Sequence, residues 1–340
     1  MKHLYHLIIC LTPAFSFGQL LLGGSDPQQL VANVLSGSGV SISNVQHNGV
    51  LDAIAYFSSG STVGLPYHSG FLMTTGSKYF AQGPNDSIGA GIKNNAPGLT
   101  LFNGAFAVES YDASVITFDV IPSGSTLKIN YVFGSEEYSS NNSSSYQYND
   151  GFGIFVSGPG INGTQNIARL PNTNPISIRT LNQSTNSQYF VNNGTGNLPP
   201  YNSDDQYLQY NGLSKPLTAF ISNLSPGSSY HVILVIADGG DALLDSGVFL
   251  EEGGVTAGAA ENTLDNFVSI AYNSSNQQAT IQVTEYQEKL VYSVVDLSGK
   301  TMEQSKITET MNLDLSDYAS GMYLILVEGS NGQVSKKVVR

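Results

Sequence analysis

The chain has 340 residues and carries 26 Asp and Glu against 13 Lys and Arg, a net charge of −13. Nucleic acids and anionic membranes need a basic face, so this balance excludes both as partners. Charged residues make up only 11% of the chain, while Gly reaches 36, Tyr 19 and Trp zero. That is the composition of a loop-rich, all-β extracellular protein long enough for two cores.

Residues 1–18 read as a secretory signal. Lys2 supplies the positive start, Leu4 to Leu11 the apolar run, and Ser16-Phe17-Gly18 a small-x-small cleavage site. The run is too short to span a bilayer, so no transmembrane segment is expected in the mature chain. The one cysteine, Cys10, lies inside this segment, which leaves the mature chain without a disulfide. Asp26 is a good N-cap and Pro27 suits the first helical position, so a short helix is expected through Leu35. Leu30, Val31, Val34 and Leu35 recur at helical spacing.

From Val40 the pattern turns to strands: 40–45, then 70–76 between glycines. Residues 77–105 read mostly as loop. Strands at 114–121 and 126–133 are joined by Pro122-Ser-Gly-Ser, a turn signal. Leu127, Ile129, Tyr131 and Phe133 alternate onto one face, which predicts core. A further strand covers 151–156. Residues 157–215 are polar, with Arg169 and Arg179 expected to pair with an acidic loop. Strands at 217–220 and 229–237 flank the Pro226-Gly227 turn. Residues 253–263 read as a linker. Beyond it lie six short strands: 268–272, 279–283, 290–297, 311–315, 321–327 and 333–339. The predicted fold is all-β: a large β-sandwich or jelly-roll-like domain with a short N-terminal helix, then a small immunoglobulin-like β-sandwich. The predicted bounds are 1–18 signal peptide, 19–255 β domain, 256–265 linker and 266–340 small sandwich.

Carboxylates carry the chemistry. Asp238, Asp241 and Asp245 share a glycine-rich loop between two apolar runs, read as strand, acidic turn, strand. Like charges in one loop repel, and a cation is a simple remedy. Glu136, Glu137 and Asp150 flank a polar loop at the ends of two strands, and adjacent strands would bring them together. If the two loops meet, six carboxylates converge, enough for the six to eight oxygens of Ca²⁺. The spacing is not that of an EF-hand, and two separate solvated acidic turns are the alternative. The absence of disulfides favours a metal staple for long loops. Residues 138–149 and 182–211 are rich in Tyr, Asn and Ser, the chemistry of adaptable recognition surfaces. Tyr138, Tyr146, Tyr148, Tyr189 and Tyr207 are therefore candidate contacts for a carbohydrate or a surface or matrix ligand, with ordinary solvated loops as the alternative.

The leading functional expectation is a non-catalytic binding or adhesion protein. One alternative is a glycoside hydrolase using Glu136, Glu137, Asp150 or Asp238, since that chemistry needs two carboxylates. Another is a structural matrix component. There is no Gly-x-Ser-x-Gly or His-Glu-x-x-His motif, and His47, His68 and His231 are far apart, which argues against a Ser-His-Asp triad or a His-based zinc site.

Several motifs in order resemble the choice-of-anchor L family. They are Gln29-Leu30-Val31, Ala55-Tyr56-Phe57, the 70–76 run, Phe133-Gly-Ser-Glu-Glu-Tyr138, the 149–155 run, Ile167-Ala-Arg-Leu-Pro171 and the 236–250 stretch. The C-terminal segment is similar to the type A sorting domain of the type IX secretion system. Val295-Asp-Leu-Ser-Gly-Lys300, the 320–327 run and the basic end Lys336-Lys337-Val-Val-Arg340 carry that likeness. Ala271-Tyr272-Asn273-Ser274 departs from the family's usual Tyr-Pro-Asn-Pro. The resemblances imply a secreted or outer-surface protein that engages the type IX machinery through residues 266–340. They bring no catalytic residues.

Overall fold

A computed structural model describes residues 18–87, 89–138, 148–194, 207–258, 264, 267–284, 290–296, 298–329 and 332–340. The proposed signal segment up to residue 17 and the whole of 139–147, Tyr146 included, lie outside the described residues. The chain forms two compact units, one made chiefly of residues up to Ala257 and one chiefly of Gly258–Arg340.

The first unit is built from β1 (Leu21–Leu22), β2 (Val40–Asn48), β3 (Ile54–Ser58), β4 (Gly70–Thr74), β5 (Ser110–Pro122), β6 (Thr126–Ser135) and β7 (Gly151–Ser157). It continues with β8 (Gln165–Asn166), β9 (Ile176–Ser177), β10 (Phe190–Asn192), β11 (Gly212–Ser214), β12 (Leu217–Ile221), β13 (Tyr230–Gly239) and β14 (Ser246–Gly258). One sheet runs in the order β1-β3-β4-β14-β6-β11-β10, with β12 also on β6. The other runs β2-β5-β13-β7-β8, with β9 also on β7. The all-β expectation holds. Leu127, Ile129, Tyr131 and Phe133 are all buried, as their alternation requires. The N-terminal helix is also present. Asp26 accepts from the Gln28 N–H at 3.0 Å, and one α-turn at α1 (Pro27–Gln29) passes into a wider π-helical stretch over Leu30–Leu35.

Strand partners differ from the expected ones. The 114–121 and 126–133 strands are joined by a turn but lie in opposite sheets, so Pro122-Ser-Gly-Ser crosses from one sheet to the other. The connections β6→β7 and β13→β14 also cross between sheets. The 238–245 stretch is therefore not a hairpin, and β6 and β7 are not neighbours. Residues 77–105 hold more than loop. A 3₁₀ turn spans Lys78–Ala81 and helix α2 spans Thr100–Phe106. Phe102 and Phe106 stack there with centroids 4.0 Å apart and pack on Val115, Phe155 and Val235.

The second unit is a small sandwich. Its strands are β15 (Val268–Asn273), β16 (Gln278–Val283), β17 (Leu290–Asp296), β18 (Thr301–Ile307), β19 (Met311–Asp314), β20 (Met322–Gly329) and β21 (Gly332–Val339). A sheet β15-β16-β19 and a sheet β18-β17-β20-β21 enclose a core that includes Ile281, Tyr292, Val294 and Ile325. Strand β18 went unrecognised because its sequence, Thr-Met-Glu-Gln-Ser-Lys-Ile, lies mostly exposed at a sheet edge. Asp296 holds the preceding turn, its Oδ1 accepting from Ser298 N and Lys300 N.

Candidate functional site

The acidic residues sit where the chain changes sheets. Glu136 and Glu137 follow β6, Asp150 precedes β7, Asp238 is near the end of strand β13, and Asp245 precedes β14. Both crossings lie at the same end of the sandwich and are tied together by backbone. Glu136 N–H donates to Asp245 O at 3.0 Å, and Asn149 N–H donates to Gly239 O at 2.8 Å. Five of the six expected residues therefore gather in one corner. The sixth, Asp241, is half-buried at its edge and caps its own turn through Leu243 N–H at 3.2 Å. The sequence placed these residues together along adjacent strands; they meet instead across two sheets.

The corner faces inward. The five side chains are between 0 and 6% exposed, which excludes the solvated-turn reading for them. Asp150, Glu136 and Asp245 each have a small set of donors. Asp150 accepts from Gly239 N–H at 2.9 Å and from Ser246 Oγ at 2.7 Å, and Ser246 Oγ also bonds Ser135 Oγ at 2.8 Å. Glu136 Oε2 accepts from Asn211 Nδ2 at 3.0 Å, and Asn211 belongs to a buried amide network with Asn85 at 3.0 Å. Asp245 Oδ1 accepts from Ile92 N–H at 3.0 Å. Its carboxylate lies against the Cα of Gly76, where a Cβ would fall 1.8 Å from Oδ2. The donors do not cover every oxygen. Glu136 Oε1, Asp238 Oδ1 and Asp245 Oδ2 are buried without a hydrogen-bond partner.

Burial penalises the charged form of each group, and neighbouring carboxylates add to the penalty. Loss of solvent pushes Glu136 up to about 9, with the Asp245 and Glu137 charges adding and donors from Gln209 and Ala90 opposing. It pushes Glu137 to about 8 with help from Asp150 and Asp241. Asp245 rises to about 8, and Asp150 to about 7. Asp238 is raised well above its ordinary value by burial first and by Asp150 second. In each case the charge acting on the group is that of another carboxylate.

One member was missed. Asp112, in β5, is buried and takes N–H donors from Asn94 and Ala96, each at 2.9 Å, and its charge adds to the burden on Asp238 and Asp245. A lone Asp in a strand gives no pattern to read. Its φ of +47°, which Asp tolerates better than most residues, is visible only in the structure. Among the described residues no group of three or more His, Cys, Asp or Glu side chains is placed to hold a metal ion.

Among the described residues, the proposed ligand-contact tyrosines differ in burial. Tyr138 is 6% exposed and packs between Phe133 and Phe190, with centroids 6.4 and 4.9 Å away. Its place in the core corrects the expectation that it meets a ligand. Tyr148, Tyr189 and Tyr207 are half-buried, and Tyr207 packs on the apolar cluster of Leu65 and Phe249. Arg169 does not take an acidic partner. It donates to the carbonyls of Asn166 at 2.8 Å and Thr173 at 2.6 Å. Arg179 Nε donates to Tyr148 O at 2.8 Å.

A family model described as the Choice-of-anchor L domain matches residues 23–256. The chain belongs to the choice-of-anchor L family. A second model, the secretion system C-terminal sorting domain, matches residues 272–340. This choice-of-anchor L protein is therefore exported by type IX secretion and is secreted or cell-surface. Among the described residues no helix is long and apolar enough to cross a membrane. A comparison with curated proteins finds no match. Solved structures give only remote likenesses. One is a DUF3244 protein with an immunoglobulin-like β-sandwich from Bacteroides vulgatus, 11% identical, covering 22% of this chain and 86% of that one, TM-score 0.21. Another is a β-glucuronidase from Ruminococcus gnavus, 10% identical, covering 87% of this chain and 45% of that one, TM-score 0.18. The chain thus spans less than half of the glucuronidase. Scores this low carry no argument about function.

Proposed function

We propose that this choice-of-anchor L protein is a non-catalytic binding or adhesion module, carried out of the cell by its sorting domain and held in shape by calcium at the acidic corner. The observation that carries the reading is the corner itself: five buried carboxyl groups, three of them with an unpartnered oxygen, whose charges act on one another. A hydrolase needs one acid and one base open to substrate, and side chains at most 6% exposed do not offer that. A hard cation suits unpaired carboxylate oxygens better. No three of these side chains are placed around one ion, so carbonyl groups and water would have to supply most of the coordination, which calcium accepts readily. The binding role draws on the polar loops that leave the same sheets.

The binding half is tested by probing the purified protein against a panel of glycans and matrix proteins, with calcium and with EDTA. Retention of at least one partner, weakened by EDTA, is the expected result. Turnover of a glycan that Glu137→Gln abolishes would overturn the reading in favour of a hydrolase.

A further inference from the structure

A second polar feature lies away from the acidic corner. A surface cavity of about 560 Å³ opens between α2 and the β7–β8 connection. Its floor is apolar, with Leu101 and Ala105 one helical turn apart on α2 and Phe155 from β7. Its rim carries the hydroxyls of Thr100 and Thr164 and the side chains of Asn166 and Arg169. Gly104 also lines it, and a Cβ there would meet nothing within 4 Å. A volume of this size accommodates one or two sugar rings.

One of the rim groups, Arg169, is held ready to donate. Arg169 spends Nε and Nη1 on the carbonyls of Asn166 and Thr173, which fixes the guanidinium and leaves Nη2 uncommitted. Asn166 is buried, and its Oδ1 accepts from Ile154 N–H at 3.2 Å and Ala168 N–H at 3.0 Å. Those two bonds set the orientation of the amide, and its Nδ2 is left without an acceptor. A buried donor of this kind calls for an explanation. The described residues around it supply none, and because the atom is closed to solvent it stands behind the cavity wall rather than in the cavity.

We propose that this cavity binds a carboxylated sugar, a uronic acid residue of a glycan. A fixed guanidinium is the side chain best matched to a carboxylate. The two threonine hydroxyls suit ring hydroxyls, and the apolar floor suits the C–H face of a pyranose. The proposal rests on the reading of the protein as a binding module and adds the ligand class and the residues. It gives a role to Arg169, which sits in a stretch, Ile167 to Pro171, that the acidic corner does not use.

The test is a titration of the purified protein with D-glucuronate, D-glucose and N-acetylglycine, followed by calorimetry or protein NMR. Glucuronate is expected to bind saturably, with glucose and N-acetylglycine each weaker by about tenfold or more. Arg169→Gln should lose most of the glucuronate affinity, and Arg169→Lys should keep part of it. Because Arg169 also ties down its own loop, Gly104→Leu is the second variant. It fills the cavity from an open position, and it should keep the wild-type melting temperature while losing glucuronate. Equal binding of glucose, tighter binding of N-acetylglycine, no glucuronate binding, or full binding by a folded Gly104→Leu variant would each overturn the proposal. A glycan partner insensitive to both substitutions would overturn it too, while leaving the broader binding role intact.

Discussion

Replacing Asp245 by Asn should stabilise the cation-free protein, and the gain should grow with pH. Asp245 is pushed from 3.8 to about 8 by burial and by its acidic neighbours. A folded pKa above the unfolded one means that the folded state holds the proton more tightly. The stability linked to that proton is fully present below about 4 and is lost as pH rises through about 8. At pH 7 the gap from the unfolded value is about 3 units, or about 4 kcal/mol at about 1.4 kcal/mol per unit. Local relaxation and coupling to Glu136 lower this, so roughly 1–4 kcal/mol is the expected gain for an amide that cannot ionise. Asn keeps an acceptor for the Ile92 N–H. The assay is urea unfolding in EDTA at pH 5, 6, 7 and 8, wild type against Asp245→Asn. The difference should be small at pH 5 and rise toward pH 8. A variant destabilised equally at every pH would refute the idea that buried like charges burden this corner.

Other expectations follow from the same geometry. Gly76→Ala would place a Cβ against the Asp245 carboxylate, so its melting temperature should fall by the equivalent of roughly 1–3 kcal/mol. Phe102→Ala removes a fully buried ring from under α2 and should cost about 3–5 kcal/mol in urea unfolding. The exposed Asp119–His231 pair, 2.8 Å apart, should show the opposite pH trend to the corner. Hydrogen bonds from Asn44 and His231 hold Asp119 below its ordinary value, so its contribution is present above about 4 and lost as pH falls through the folded pKa. Asp119→Asn should therefore cost under about 1 kcal/mol at neutral pH and nothing in acid.

Strands were the most legible part of the sequence. Alternation in 126–133 gave both the strand and its buried face, because period two is a local property. Which sheet each strand joins is not local. The Pro122-Ser-Gly-Ser turn looks the same whether it closes a hairpin or crosses a sandwich, and here it crosses. Helix α2 was hidden by Thr-Leu-Phe-Asn-Gly-Ala-Phe, which carries a glycine inside and has no side-chain cap at Leu99. Phe102 and Phe106, with Leu101 and Ala105 beside them, pack it onto the sheet. At the acidic corner, charge density against an 11% charged background picked out residues that the fold brings close together. Their burial was not readable, since it depends on two crossings closing over each other. Tyr138 shows the same limit: its Ser/Asn-rich neighbourhood suggested an exposed contact, and the Phe133 and Phe190 rings decided otherwise.

The central claim is that the corner is a cation-held structural site. It is tested most directly by the melting temperature of the purified protein at neutral pH, in calcium and in EDTA. Calcium at ten times Kd should add about 1.4 kcal/mol, rising as RT ln(1 + [L]/Kd) with millimolar concentrations in range for an extracellular site. The gain should vanish in Asp245→Asn. An identical melting temperature in calcium and in EDTA would contradict the account.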